Sequence, residues 1–354
     1  ELVVESISSR FGRELDPGAP GAFELIRDLE PPAGENGRRN VLSRVSVAFQ
    51  RSRARARLVK AGRFEIAHLH TYNPTTDWFA LRRLRTSCSV LVQSVHNVRP
   101  HDQRGPRRIE TFTLRSGYLA CDALIVAHET LRSQLIEELS IPAERVHVVP
   151  LPIVIPPVLD REFEPPEARP VRVLFFGTFR QNKGLHVFAD AVRRTQSLPS
   201  GANLVFAIAG RGDADLEAAV EQLGAGDERV EVEIGFVTDE RRNELYRWAD
   251  IVVLPYTEIH AQSGVLHDAI AAALPVVATR VGPIGATVDE EGFGLVVEPG
   301  DPDALAKAIM TLASDVNLRR EMGTRSATIA RDRSPEAIAA AIGRVYGEIG
   351  FPIT

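Results

Sequence analysis

The chain is poor in sulfur, with two cysteines and two methionines in 354 residues. Cys88 and Cys121 cannot build a disulfide framework, and neither sits in a Cys-x-x-Cys or Cys/His spacing. That argues against a disulfide-stapled secreted scaffold and against a structural zinc site; isolated thiols of this kind fit a reducing cytoplasm. Long apolar runs are also lacking. No stretch reaches the roughly 18 apolar residues that a membrane-spanning helix needs. The opening ELVVESISSR does not have the charged-then-apolar layout of a secretion signal. Two phosphate-binding fingerprints, GxxxxGK[ST] and GxGxxG, are absent, which disfavours a P-loop ATPase and a dinucleotide oxidoreductase.

What remains is an ordinary globular composition, 44% apolar, in a chain longer than one core usually supports. Two domains are expected, over residues 1–165 and 166–334. The net charge of −5 is unevenly shared. Residues 1–165 hold 23 Lys+Arg against 20 Asp+Glu, a net of +3; residues 166–354 hold 19 against 27, a net of −8. So acidic a second half is unsuited to nucleic acid, although local donors can still bind a small anion.

From Val171 onward short apolar runs alternate with helical spacing. VRVLFFG (171–177), LVFAIAG (204–210), 231–235, IVVLPY (251–256), PVVAT (275–279) and LVVEP (295–299) read as strands. Helices are predicted over 184–196, 213–223, 239–249 with Thr238 as cap, 264–273 and 303–312. This is the pattern of a doubly wound α/β parallel sheet, whose ligands bind beyond the carboxyl ends of the strands.

Three segments there draw attention. In GTFRQNKG, Gly177 allows a tight exit, and Arg180 and Lys183 stand beside the start of a helix, a receptor suited to a diphosphate. In the second, Glu258, His260, Gln262, Ser263, Gly264 and Val265 lead into a helix that carries Asp268. Backbone N–H groups at Ser263–Val265 can meet a ligand, and Asp268 is placed to accept from ribose hydroxyls. His267 reads as a surface residue. The third, TRVGPIGATV from Thr279 to Val288, reads as a loop with two glycines.

Together GTFRQNKG, SGVLHDAIAAALPVVAT and GFGLVVEPGDPDALAKAI resemble the donor half of family 4 glycosyltransferases, retaining enzymes of GT-B fold. The match is to a sub-branch with a G-x-x-R-x-x-K-G donor loop. The resemblance runs over about residues 64–346. It implies two Rossmann-like parallel-sheet domains facing across a cleft, and a C-terminal helix, 335–354, returning to the first domain. It implies transfer of a sugar from a UDP- or GDP-sugar to a hydroxyl acceptor with retention of configuration. Polysaccharide, glycolipid and glycosylated-metabolite synthesis all fit. No cofactor is expected, and the chain is read as having no Asp-x-Asp signal for a donor metal, so no metal is expected. The chain departs from the family in two places: Thr178 stands where an arginine is usual, and His260 replaces the first of two glutamates, the second being Asp268. Glu258 stands two residues away as a substitute. An inactive nucleotide-sugar-binding scaffold and another GT-B sugar enzyme, such as an epimerase, are the alternatives.

The first half supplies the acceptor side. FEIAHLHTYN (64–73), VLVQSVHN (90–97), DALIVA (122–127) and RVHVVP (145–150) read as strands. By the resemblance, His96 faces the donor sugar and joins Arg180 and Lys183 as the catalytic set. His70, Asn73, Asn97 and Arg99 are acceptor-side residues, with His101 and Asp102 following. The family's opening strand and glycine-rich loop are not recognisable in ELVVESISSRFG. Residues 38–63 carry nine Lys+Arg and no acid around an apolar stripe. They read either as a well-solvated surface helix packed by that stripe, or as a peripheral contact with an anionic membrane or a lipid-linked acceptor, at the inner face of a cytoplasmic membrane.

Overall fold

The computed structural model describes residues 2–5, 23–25, 64–70, 81, 84–86, 88–99, 107–156, 169–197, 203–259 and 263–351. Asn73, His101, Asp102, His260, Gln262 and the basic stretch 38–63 lie outside them. The chain divides into two compact units: unit 1 is Glu1–Pro150 with Ala341–Thr354, and unit 2 is Leu151–Ala340.

Unit 1 holds a six-stranded sheet in the order β2-β1-β3-β4-β5-β6, every pairing parallel. The strands are β1 Leu2–Glu5, β2 Phe23–Leu25, β3 Phe64–Leu69, β4 Cys88–Val95, β5 Ala123–Val126 and β6 Val146–Val148. Helices α1 (Arg107–Tyr118) and α2 (Glu129–Leu139) follow β4 and β5. The opening residues therefore do form a strand. β1 pairs with β3, Leu2 opposite Ile66 and Val4 opposite His68. Three consecutive apolar residues are too few to separate a buried strand from a stray apolar patch by periodicity; the pairing partner decides it.

Unit 2 holds β7 Val171–Phe179, β8 Leu204–Gly212, β9 Val230–Ile234, β10 Ile251–Leu254, β11 Val276–Thr279 and β12 Gly294–Val297. They are again all parallel, in the order β12-β11-β10-β7-β8-β9. Its helices are α3 (Leu185–Thr195), α4 (Ala214–Gly226), α5 (Asp239–Trp248), α6 (Gly264–Ala271), α7 (Gly282–Glu291), α8 (Pro302–Ser314) and α9 (Val316–Asp332); α10 (Pro335–Glu348) follows. Side-chain alternation along β7 splits the core in two. Val171, Val173, Phe175 and Phe179 face α3 and α8, whereas Leu174 joins the cluster formed with α5, α6 and α7. Both faces are covered at the middle of the sheet, which is why β10 is apolar and buried at every position, whereas edge strand β9 alternates Val and Glu. The predicted stripe on α3 is buried at Leu185, Phe188, Ala189 and Val192. Thr238 caps α5, its hydroxyl accepting from the Arg241 N–H at 3.2 Å.

One predicted loop is mostly helix. Within Thr279–Val288, α7 starts at Gly282, with Pro283 in its first turn, where a missing N–H costs nothing. The two glycines serve packing: a Cβ on Gly285 would lie 2.7 Å from the Arg280 Cα.

Candidate active site

In unit 2 the strand order reverses between β7 and β10, the place where open α/β sheets offer a crevice at their carboxyl ends. β7 runs past Gly177 to Phe179. Arg180, extended and exposed, then opens a 3-10 turn, Gln181–Lys183. Gly184 ends that turn in the left-handed region (φ 65°) and starts α3. Only glycine fits there, because a Cβ would stand 1.8 Å from the Pro255 carbonyl oxygen. That contact presses the donor-loop candidate against the segment after β10. Asn182 fastens the two: its carbonyl accepts from the Thr257 N–H at 3.0 Å, and its amide donates to the Glu258 carbonyl at 3.2 Å. An asparagine in a basic loop gave no sequence signal for this role.

Lys183 is half-buried, its Nζ 3.7 Å from the centroid of the Tyr256 ring. The ring face attracts the ammonium. Burial, with Arg180 nearby, still lowers its pKa to about 8. Among the described residues no carboxylate pairs with Lys183 or Arg180 within 4 Å. The Tyr256 hydroxyl is 3.1 Å from Ser263 Oγ, so the Ser263 side chain does not cap α6. The first N–H groups of α6, from Gly264 and Val265, are left for another acceptor. Gly264 is exposed and has open space around it, and Val265 lies against Gly177.

Asp268 is half-buried one turn into α6. Burial raises its pKa to about 6; Arg242 opposes the rise and Asp239 adds to it. The carboxylate therefore sits in the field of α5 as well as at the α6 start. Its charge helps keep the buried Tyr246 phenol un-ionised. Glu258 is exposed. His267 accounts for itself within the helix, its Nδ1 2.8 Å from the Ser263 carbonyl.

Unit 1 brings histidines together at the carboxyl ends of β3 and β4. The His68 and His70 rings stack with centroids 4.6 Å apart, and His70 and His96 are 6.4 Å apart at 23°. Burial lowers all three pKa values. His68 falls to about 3 and His70 to about 4, each lowered further by its histidine neighbours. His96 is shifted in the same direction by burial. Neutral imidazoles of this kind each offer one donor and one acceptor. Asn97 follows His96. Arg99 is directed elsewhere: its guanidinium donates to Glu138 at 3.0 Å and Thr111 at 3.3 Å, with Glu110 at 3.9 Å. Those contacts tie it to α1 and α2.

Among the described residues no group of three His, Cys, Asp or Glu side chains could hold a metal ion. Two Asp-x-Asp triplets do occur, and both open helices. Asp213 precedes α4, and Asp301 caps α8 by accepting from the Asp303 and Ala304 N–H groups. Nor, among those residues, is any helix long and apolar enough to cross a membrane.

Two family models divide the chain between them. Glycosyltransferase Family 4 matches residues 16–155, and Glycosyl transferases group 1 matches 170–315. D-inositol 3-phosphate glycosyltransferase of Xylanimonas cellulosilytica is 28% identical over 369 residues, covering 96% of this chain and 86% of that one. A glycosyltransferase of Methanocaldococcus jannaschii is 31% identical over 150 residues, or 42% of this chain; the match spans only 37% of that relative's length. Among solved structures, Anabaena Alr3699/HepE in complex with UDP superposes with a TM-score of 0.63 at 17% identity, covering 92% of this chain and 86% of that one. The chain belongs to glycosyltransferase family 4, a family of nucleotide-sugar-dependent enzymes built on the GT-B fold.

Proposed function

We propose that the protein transfers a sugar from a nucleoside-diphosphate sugar to a hydroxyl acceptor with retention of configuration. In this reading unit 2 binds the donor. Arg180, Lys183 and the first N–H groups of α3 receive the diphosphate, and Asp268 accepts from the ribose hydroxyls. The α6 start, Ser263–Val265, contacts the donor sugar, with Glu258 in the preceding segment as the carboxylate substitute. The observation that carries the proposal is Lys183, a half-buried cation on the Tyr256 ring with no described carboxylate partner. Such a cation is held ready for an anionic ligand, and a phosphate oxygen supplies the missing counter-charge. As the sugar leaves, charge grows on the diphosphate. Contacts that strengthen at that moment lower the barrier, each charge-assisted hydrogen bond contributing about 1.5–3 kcal/mol.

On the acceptor side, His96 and His70 act as neutral imidazoles that orient hydroxyls. Their lowered pKa values suit hydrogen bonding to sugars over charge stabilisation. The departing phosphate is the base for the acceptor hydroxyl, on the same face of the sugar. Asn73 and Asn97 belong to the same side. A UDP-sugar is the first donor to test, because the Anabaena relative of this fold was solved with UDP.

The test is incubation with a panel of UDP- and GDP-hexoses, with and without sugar and lipid-linked acceptors, following nucleoside-diphosphate release. Release that needs an acceptor supports transfer. Sugar interconversion without acceptor would make the protein an epimerase, and binding without turnover across the panel would make it a scaffold.

A further inference from the structure

We propose that His68 is a positioning residue: held by Tyr346 and Ser94, it fixes the plane of the His68–His70–His96 row and so sets where the His96 ring stands. The catalytic consequence rests on the transfer reaction proposed above; the geometry does not.

His68 lies inside β3 and is 2% exposed. A polar ring there is costly unless its nitrogens are bonded. Both are: Nδ1 is 2.6 Å from the Tyr346 hydroxyl, and Nε2 is 2.8 Å from Ser94 Oγ. Tyr346 comes from α10, 278 residues further along the chain, and is itself 2% exposed. A phenol is a better donor than a serine hydroxyl. Tyr346 therefore donates to Nδ1, and the ring's own proton sits on Nε2 and is donated to Ser94. Two bonds at opposite corners of the imidazole leave it no freedom to flip or tilt.

The strand period carries this restraint to the surface. His68 and His70 are two residues apart across the end of β3, and Ser94 and His96 two apart across the end of β4. Each pair therefore projects from the same side of adjacent parallel strands. The His70 ring stacks on His68 at 20°, and His96 continues the row. Among the described residues, the ionisable groups facing His68 are His70, His96 and Tyr346. All are uncharged at neutral pH, so no repulsion spreads the rings. His68 is too deeply buried to meet an acceptor. Whatever it contributes passes through His70 to His96.

The experiment uses the full chain and the variants Tyr346→Phe and Ser94→Ala, each of which removes one bond and keeps most of the volume. Imidazole 15N shifts are recorded without substrate, and kcat and donor KM are then measured with the best donor from the UDP- and GDP-hexose panel. Expected are a neutral Nε2–H tautomer for His68 in the parent protein, displaced His70 and His96 signals in both variants, and kcat lowered about tenfold, the scale on which small misplacements act. Donor KM and UDP affinity stay as in the parent, which separates positioning from general loss of structure. Unchanged His96 signals together with unchanged kcat in folded variants would overturn the proposal. So would kcat and UDP affinity falling in step. If the parent turns over no donor, the transfer reading fails, while the 15N shifts still decide whether Tyr346 and Ser94 set the ring.

Discussion

At the carboxyl ends of its strands unit 2 presents two cations, Arg180 and Lys183, whereas unit 1 presents three imidazoles that burial keeps neutral. Both sheets are six-stranded and parallel, so the contrast comes from the residues set on the strand ends. The cations answer to a ligand with permanent charge. His70 and His96, with one donor and one acceptor each, suit hydroxyls, whereas His68 spends both nitrogens on Tyr346 and Ser94. In the proposed reading, like scaffolds divide a transfer reaction by charge: the anionic leaving group on one, the neutral acceptor on the other.

The contrast breaks most visibly if unit 1 loses its outermost ring. His96→Ala is expected to lower kcat by about 10²-fold, the scale on which loss of substrate positioning acts. Donor affinity should stay within a factor of two. Steady-state kinetics with UDP calorimetry checks both, and a parallel loss of donor binding would end the division of labour. On the other side, Lys183→Ala should weaken UDP binding about 10- to 100-fold, the equivalent of one charge-assisted contact. It should leave the 15N shifts of the unit 1 histidines unmoved.

The pH dependence sharpens the contrast further. Burial holds the Lys183 pKa down at about 8, and in the proposed reading the diphosphate binds its protonated form. Donor affinity is therefore full below about pH 8 and declines as pH rises through that value. In the same reading Asp268, at about 6, accepts from ribose more strongly when ionised, so affinity also declines as pH falls through about 6. His68 and His70, at about 3 and about 4, do not titrate between those limits. Calorimetry from pH 5 to 9 should trace a plateau bounded near those two values. The smallest effect is that of Asp268→Asn, an amide that still accepts. It should weaken UDP only about 3- to 10-fold, as for one modest hydrogen bond, and should remove the acid-side decline.

The sequence was informative where one residue type has one physical use. Apolar runs alternating with helical spacing made a parallel sheet legible from Val171 to Leu312. Gly177 and a basic pair beside a helix start marked the candidate donor loop. It was uninformative where a tertiary partner decides. Leu2–Glu5 becomes a strand only because β3 lies beside it. Residues 282–288 become helix despite two glycines, because those glycines lie against the strand end and the Ile259 carbonyl. Arg99 looked available to an acceptor and is engaged by Glu138 and Thr111. His68 and Tyr346, 278 positions apart, could not have been joined by any local pattern.

The most direct measurement is a crystal structure with a nucleoside diphosphate bound. The diphosphate should lie within hydrogen-bonding reach of Lys183 Nζ and of the first N–H groups of α3, with the ammonium still over Tyr256. A diphosphate lodged elsewhere, with Lys183 and Arg180 facing solvent, would contradict the account.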